Sequence, residues 1–394
     1  MIFSAIYIDL AFYRIHAMRL GTDTGTFLQT LVNFWHTGST YNFSEHRPKL
    51  SMHDSWTIVL SLAPIVGLIP HVETLLIAGV VVVAAASVPL YYLARSFQLS
   101  KGASAALATA FLVSPSAQGW AFNNFTELEF VPLLAFLLAL AARRRSVIGV
   151  AIFAELLTGV KEDESLFLIW LGLASILWFD RRIGVTAIVV GAINWVGYRW
   201  LQHHFGYPPH IPSYQFSDPQ FLTHLAFLAE VLAPFAFLPL WLGPAVLIGL
   251  PWYLEITFNK EWLGQSLAQA GHFYTVPLVT MIAVGAVAAA ARRPQHVRFV
   301  IPCALIMFAF FNTTVLRIGR HEYPPDWSNY DAARAASLDG RYHRYTAEQE
   351  ACFPVAASNL NVHYDFVGRP LNRPPWWSKS EPLVPIPPNL CEDR

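Results

Sequence analysis

Charge is what this sequence has least of. Asp, Glu, Lys and Arg make up 13% of the residues, against about 25% in an ordinary soluble domain. The 26 basic and 26 acidic side chains cancel, which leaves no bulk field pointing to nucleic acid. Cysteine is scarcer still, with three in the chain, and no paired Cys/His spacing suggests a zinc site. Cys303 falls in an apolar run. Cys352 and Cys391 lie in a polar tail, where a disulfide suits an extracytoplasmic location. There is no P-loop, no GxGxxG and no serine-hydrolase elbow. Met1 to Met18 lacks the basic start and small-residue cleavage site of a removable signal peptide.

Apolar side chains are abundant. Hydrophobic residues make up 55% of the chain and aromatic ones 14%. Runs near the ~20 residues that span a bilayer recur from the N-terminus to about residue 316. The expected fold class is all-α membrane: a multi-span helical bundle over residues 1–316, followed by an extracytoplasmic tail, 317–394. The tail is rich in Pro, Trp and Tyr; within it 353–360 suits a short strand and 369–388 an extended segment. The stretch 1–18 is short and interrupted by Asp9, Arg14 and His16; it suits a first span with functional polar groups or, the favoured reading, a span whose beginning precedes Met1.

Basic residues orient the spans. Arg95 with Lys101, Arg143 to Arg145, Arg181 with Arg182, and Arg292, Arg293 and Arg298 mark four turns, all cytoplasmic by the positive-inside rule. Segments 71–94, 102–120, 128–142, 145–160, 164–179 and 184–203 then alternate without conflict. A pair at 222–241 and 243–257, broken by Pro239 and Gly243-Pro244, dips in and returns, and 272–291 and 298–316 complete about eleven spans. The parity holds only if Ser55 to Ile69 lies at the surface. The first outer loop, 19–70, therefore carries juxtamembrane helices at 24–36 and 55–69.

That loop holds Asp23, His36, Glu45, His46, Arg47, Lys49, His53 and Asp54. Other non-topogenic polar groups fall on the same side: Asn123, Asn124, Glu127 and Glu129, then Lys161 to Glu164, then His203, His204 and His210, then Glu261 and His272. Ionisable groups at membrane ends are costly and tend to mark a site, although outer loops are also simply polar. Asp23 suits a general base tuned by its neighbours, and equally a helix cap in Thr22-Asp23-Thr24-Gly25. Lys161 suits a lipid phosphate or pyrophosphate, with Glu162 and Asp163 holding the lysine or a divalent cation such as magnesium or manganese. The competing reading of that turn is a solvated charge cluster.

In these residues the chain resembles the GT-C superfamily of polyprenyl-phosphate-sugar-dependent glycosyltransferases. More narrowly, it is similar to a family of uncharacterised bacterial multi-pass membrane proteins of predicted GT-C type. The Asp-x-Gly-x-Phe-x-Gln element matches Asp23, Gly25, Phe27 and Gln29, and a His before the short apolar helix matches His53. A Pro-Leu-Tyr-x-Leu-Ala-Arg ending matches Pro89 to Arg95, Val-Lys-Glu-Asp matches Val160 to Asp163, and a His-x-Tyr matches His272 and Tyr274. The resemblance implies an inverting sugar transfer at the outer face of a bacterial inner membrane. The donor would be a lipid-linked sugar, and Asp23 would be the base. Lys161, Glu162, Asp163, His53, Asn124, Glu127, His272 and Tyr274 are the expected substrate-binding residues. The chain departs from the pattern at Leu28, where a second loop acid is common, and at Asn124-Phe125-Thr126, where Asp-Phe-His is common. Two other classes fit the composition: a non-catalytic relative that binds a lipid-linked glycan or scaffolds envelope assembly, and a transporter or flippase for a lipid-linked substrate.

Overall fold

The computed structural model describes residues 1–16, 22–42, 47–48, 55–69, 71–122, 124–204, 221–258 and 273–311. The tail 317–394, with its expected strand, extended segment and cysteine pair, lies outside the described residues. The helices are α1 (Ile2–His16), α2 (Thr22–Thr37), α3 (Trp56–Leu68), α4 (Val72–Ser96), α5 (Lys101–Val113), α6 (Pro115–Phe122) and α7 (Val131–Arg143). They continue with α8 (Val147–Thr158), α9 (Asp163–Trp178), α10 (Arg181–His204), α11 (Phe221–Leu232), α12 (Leu250–Phe258), α13 (Val276–Arg292) and α14 (Val300–Phe311). A two-residue antiparallel ladder joins β1 (Tyr41–Asn42) to β2 (Arg47–Pro48) within the first loop, pairing Tyr41 with Pro48 and Asn42 with Arg47.

Short polar side chains start the helices where the sequence turns basic. Ser100 Oγ accepts the Ala103 N–H at 3.1 Å, Ser146 Oγ accepts the Gly149 N–H at 3.1 Å, and Asp180 Oδ1 accepts the Arg182 N–H at 2.9 Å. Each satisfies a backbone donor that the first helical turn leaves open. The same turns touch one another. The Arg143 guanidinium lies 4.5 Å from the Phe97 ring centre, and Arg145 Nε is 3.8 Å from Asp180 Oδ2. Three basic turns thus gather at one end of the bundle.

The helices between run back and forth. Trp120 Nε1, at the end of α6, donates to Thr275 Oγ at 3.2 Å, so α13 begins at the end opposite the arginines. Its 17 residues carry the chain about 25 Å to Arg292. The segment 221–258 also goes and returns. His224 meets Phe258 edge-on at 5.5 Å, while Trp241 packs against His296 at 5.2 Å, beyond the far end of α13. On the way back Trp170 Nε1 donates to Ile248 O at 2.9 Å and Trp252 stacks on Phe167 at 4.4 Å. The reversal is made by a broken helix: Ala236 and Phe237 are left-handed (φ 51 and 55) and Gly243 has φ 63. Single left-handed residues end a helix, and Pro239 and Pro244 prevent it from reforming in register.

The core is apolar and aromatic, with Phe111, Trp120, Phe125 and Phe136 fully buried. Helices α9 and α10 approach closely: a Cβ at Gly184 would stand 2.5 Å from the Gly172 carbonyl oxygen, a backbone-to-backbone contact that small residues permit. Outward faces are also apolar, with Leu177 71%, Ile193 66% and Phe310 75% exposed. A helix that is hydrophobic all round belongs in an apolar surround.

Length and composition alone single out fewer crossings than the expected eleven or so. Among the described residues, Val72–Ser96 and Leu238–Phe258 are long and apolar enough to cross a membrane, and the second is composite, being broken at Gly243. Other expected spans are subdivided. The stretch 102–120 breaks at Ser114 into α5 and α6, and 128–142 opens with a 3₁₀ turn, Glu127–Phe130, before α7. These breaks shorten each continuous helix without moving its ends.

Candidate functional site

The end of the bundle away from the arginines is built from α2, α3, the 124–130 loop, the 159–163 turn and the start of α13. Thr24 is fully buried in the first turn of α2, and its hydroxyl oxygen accepts the Phe125 N–H at 3.2 Å. One turn on, the Phe27 ring meets Phe125 edge-on at 5.3 Å. The Asn124-Phe125-Thr126 loop is therefore fastened to the turn that contains Asp23. The backbone of Asp23 is helical, and its side chain lies outside the described residues.

Helix α3 is fastened at its own start. The Thr57 N–H donates to Gly159 O at 2.9 Å, and the Thr57 hydroxyl donates to Leu156 O at 2.8 Å. Gly159 has no Cβ because the Trp56 indole occupies the space: a methyl there would stand 2.2 Å from Trp56 Nε1. His53 and Asp54 precede this anchored segment and are outside the described residues; the N-cap position of α3 is Ser55, which makes no side-chain cap bond.

Lys161 stands at the centre of the turn that Gly159 opens. Its side chain is 11% exposed, with Nζ 3.7 Å from Asp163 Oδ2 and 4.7 Å from the Tyr274 ring centre. Burial, the largest single effect, pushes the ammonium toward a lower pKa. The acidic groups of Tyr274, Asp163, Glu162 and Glu127 together outweigh it and hold Lys161 above the ordinary lysine value of 10.5. Tyr274 offers its ring face, and three carboxylates from two loops, Asp163, Glu162 and Glu127, surround the ammonium. Lys161 is thus a mostly buried cation whose paired carboxylate, Asp163, stays half exposed.

Five expected site residues are thus described and adjacent: Lys161, Glu162, Asp163, Glu127 and Tyr274. Asn124 is half-buried beside Phe125. His53 and His272 lie outside the described residues. No three His, Cys, Asp or Glu side chains among the described residues gather closely enough to hold a metal ion. No step below runs through magnesium or manganese.

Sequence reasoning passed over several residues that build this end. Thr24 and Thr57 look like ordinary helix-start residues, and only their partners a hundred positions away give them a role. Glu129 is 3% exposed, and its Oε2 has no hydrogen-bond partner. The spacing Thr126-x-x-Glu129 is that of a capping box, a legible signal for a Glu turned back on its own loop.

The fold and the apolar outer faces define a helical membrane protein. Residues 17–207, somewhat less than half of the chain, match the model of a family described as "Predicted membrane protein (DUF2079)". That stretch runs from just before α2 to just beyond α10, and holds every element of the cluster except Tyr274. No curated protein and no solved structure matches the chain.

Proposed function

We propose that this protein is a membrane glycosyltransferase of GT-C type, with about eleven spans, which transfers a sugar from a polyprenyl-phosphate donor at the extracytoplasmic face. Asp23 takes the proton of the acceptor hydroxyl as the acceptor oxygen bonds to the anomeric carbon. The bond from that carbon to the lipid phosphate breaks with inversion, and the phosphate leaves carrying the electron pair. Lys161 holds that phosphate; Glu127, Glu162 and Asp163 hold Lys161; His53, Asn124, His272 and Tyr274 line the substrate path.

One observation carries this reading. Hydrogen bonds from Phe125 to Thr24 and from Thr57 to Gly159 tie the backbone beside Asp23 and the backbone following His53 to the loops that bear Glu127 and Lys161. A base and a phosphate-binding cation must lie within one substrate's reach, and these ties bring their carriers together. A mostly buried ammonium beside an aromatic face also suits a phosphate better than a solvated turn does.

The test uses the full chain in proteoliposomes with radiolabelled polyprenyl-phosphate sugars, followed by release of the lipid phosphate. Asp23→Asn is expected to lower turnover by about 10² to 10⁴ with expression unchanged. Turnover retained in that variant would remove Asp23 as the base.

A second reading is a non-catalytic relative that binds a lipid-linked glycan. It is favoured by Leu28, which is 4% exposed in the core of α2 where the resemblance expects an acid. Saturable donor binding by the unaltered chain, with no turnover of any donor tried, would select it.

A further inference from the structure

The opposite end of the molecule carries a feature that sugar transfer does not use. Around the turn between α13 and α14, three rings in a row are flanked by two guanidinium groups. The Arg293 guanidinium lies 5.5 Å from the Trp241 ring centre, Trp241 is 5.2 Å from the His296 ring, His296 is 6.5 Å from Phe299, and the Arg298 guanidinium lies 4.7 Å from Phe299. Arg292, Arg293 and Arg298 are exposed. His296 Nδ1 is shielded from solvent and has no hydrogen-bond partner.

Among the described residues, the segments that form this corner, 101–113, 231–254 and 273–311, contain no Asp or Glu. At another basic turn an acid is at hand: Arg145 Nε faces Asp180. The surface beside the arginines is apolar, with Phe237, Leu240, Trp241 and Phe299 all exposed. An uncompensated guanidinium cluster bordered by exposed rings and aliphatic chains matches a molecule that is anionic at one end and hydrocarbon at the other.

We infer that this corner binds the phosphate headgroup of an anionic membrane lipid. Arg293 and Arg298 contact the phosphate, Trp241 sits at headgroup depth, and Phe237 and Leu240 border the acyl chains. A nucleic acid or acidic peptide would gain from the charge but would leave the adjoining apolar surface exposed. The site is independent of Asp23 and Lys161, and of whether the protein transfers sugars.

The experiment is native mass spectrometry of the full chain released from micelles containing equal phosphatidylglycerol and phosphatidylcholine. The unaltered protein is expected to retain phosphatidylglycerol preferentially. Arg293→Gln with Arg298→Gln should weaken that retention about fivefold per arginine removed, while Arg144→Gln with Arg181→Gln leaves most of it. Trp241→Leu, which keeps every charge, should cause a smaller loss. Equal retention of the two lipids by the unaltered protein would overturn the proposal without recourse to any variant. So would equal loss from the two arginine pairs, or complete displacement of the lipid by millimolar inorganic phosphate, which would mark a soluble-anion site.

Discussion

The carboxylate of Glu129 rests directly on Gly79. A Cβ at Gly79 would stand 1.9 Å from Glu129 Oε2 and 2.9 Å from its Cδ, so the 3₁₀ turn that follows the Asn124 loop is seated in a notch of α4. Buried side chains have little room to yield, and Gly79→Ala is expected to destabilise the protein by about 1 to 3 kcal/mol. Thermal unfolding in nanodiscs measures this. The cost should shrink when Glu129→Ala is present too, because neighbours in contact are not additive. An equal cost in both backgrounds would show that the two residues do not press on each other.

The Trp56 indole over Gly159 predicts a second sensitivity. Gly159→Ala would set a methyl 2.2 Å from Trp56 Nε1 and 2.5 Å from Thr57 Oγ, lifting α3 from the turn that leads to Lys161. Thr57→Val removes only the hydroxyl bond to Leu156 and should cost about 1 kcal/mol. Gly159→Ala should cost more and also weaken donor binding. A Gly159→Ala protein with an unchanged melting temperature would sink this account of the docking.

Thr24 offers a test at the other fastening. Thr24→Val leaves the Phe125 N–H buried without its acceptor, a loss of about 1 to 3 kcal/mol, whereas Thr24→Ser keeps the oxygen and should be near neutral. Unfolding temperatures that rank serine and valine equally would mean that the hydroxyl does not hold this loop.

Lys161 carries a prediction in pH. Its folded pKa is raised above 10.5, so the charge and the stability it contributes are fully present below the ordinary lysine pKa. They are lost only as pH rises through the higher folded value. Donor binding between pH 7 and 10 should therefore show no alkaline limb from this residue, while Lys161→Met should abolish retention of the lipid phosphate. An alkaline limb in that range that disappears in Lys161→Arg would contradict the geometry around the ammonium.

Much of the architecture was legible because membrane segments write themselves in composition. Apolar runs and the arginines that punctuate them foretold which turns share an end, and Arg143 over Phe97 and Arg145 beside Asp180 are the contacts that result. Pro239 and Gly243-Pro244 foretold the broken return of 221–258. Helix continuity was less legible. Ser114 and the 3₁₀ turn at Glu127–Phe130 interrupt runs whose hydropathy is unbroken, because hydropathy reports transfer energy and not backbone hydrogen bonding.

The candidate site divides in the same way. That Lys161 lies beside two carboxylates follows from the order Lys161-Glu162-Asp163, since neighbours in a tight turn have no means of separating. That Glu127 and Tyr274 face the same ammonium, and that Thr24 and Thr57 hold the first loop against it, depends on contacts between residues far apart in the chain, from Glu127 with Lys161 to Tyr274 with Lys161. A local pattern cannot encode such pairings, because each residue's choice of partner is settled by packing of whole helices. The sequence by itself therefore determined an apolar helical chain with its four basic turns at one end and the Lys161 turn at the other. Only the tertiary structure decided which of those groups meet, because a buried lysine takes its counter-charges from whichever loops the core brings to it.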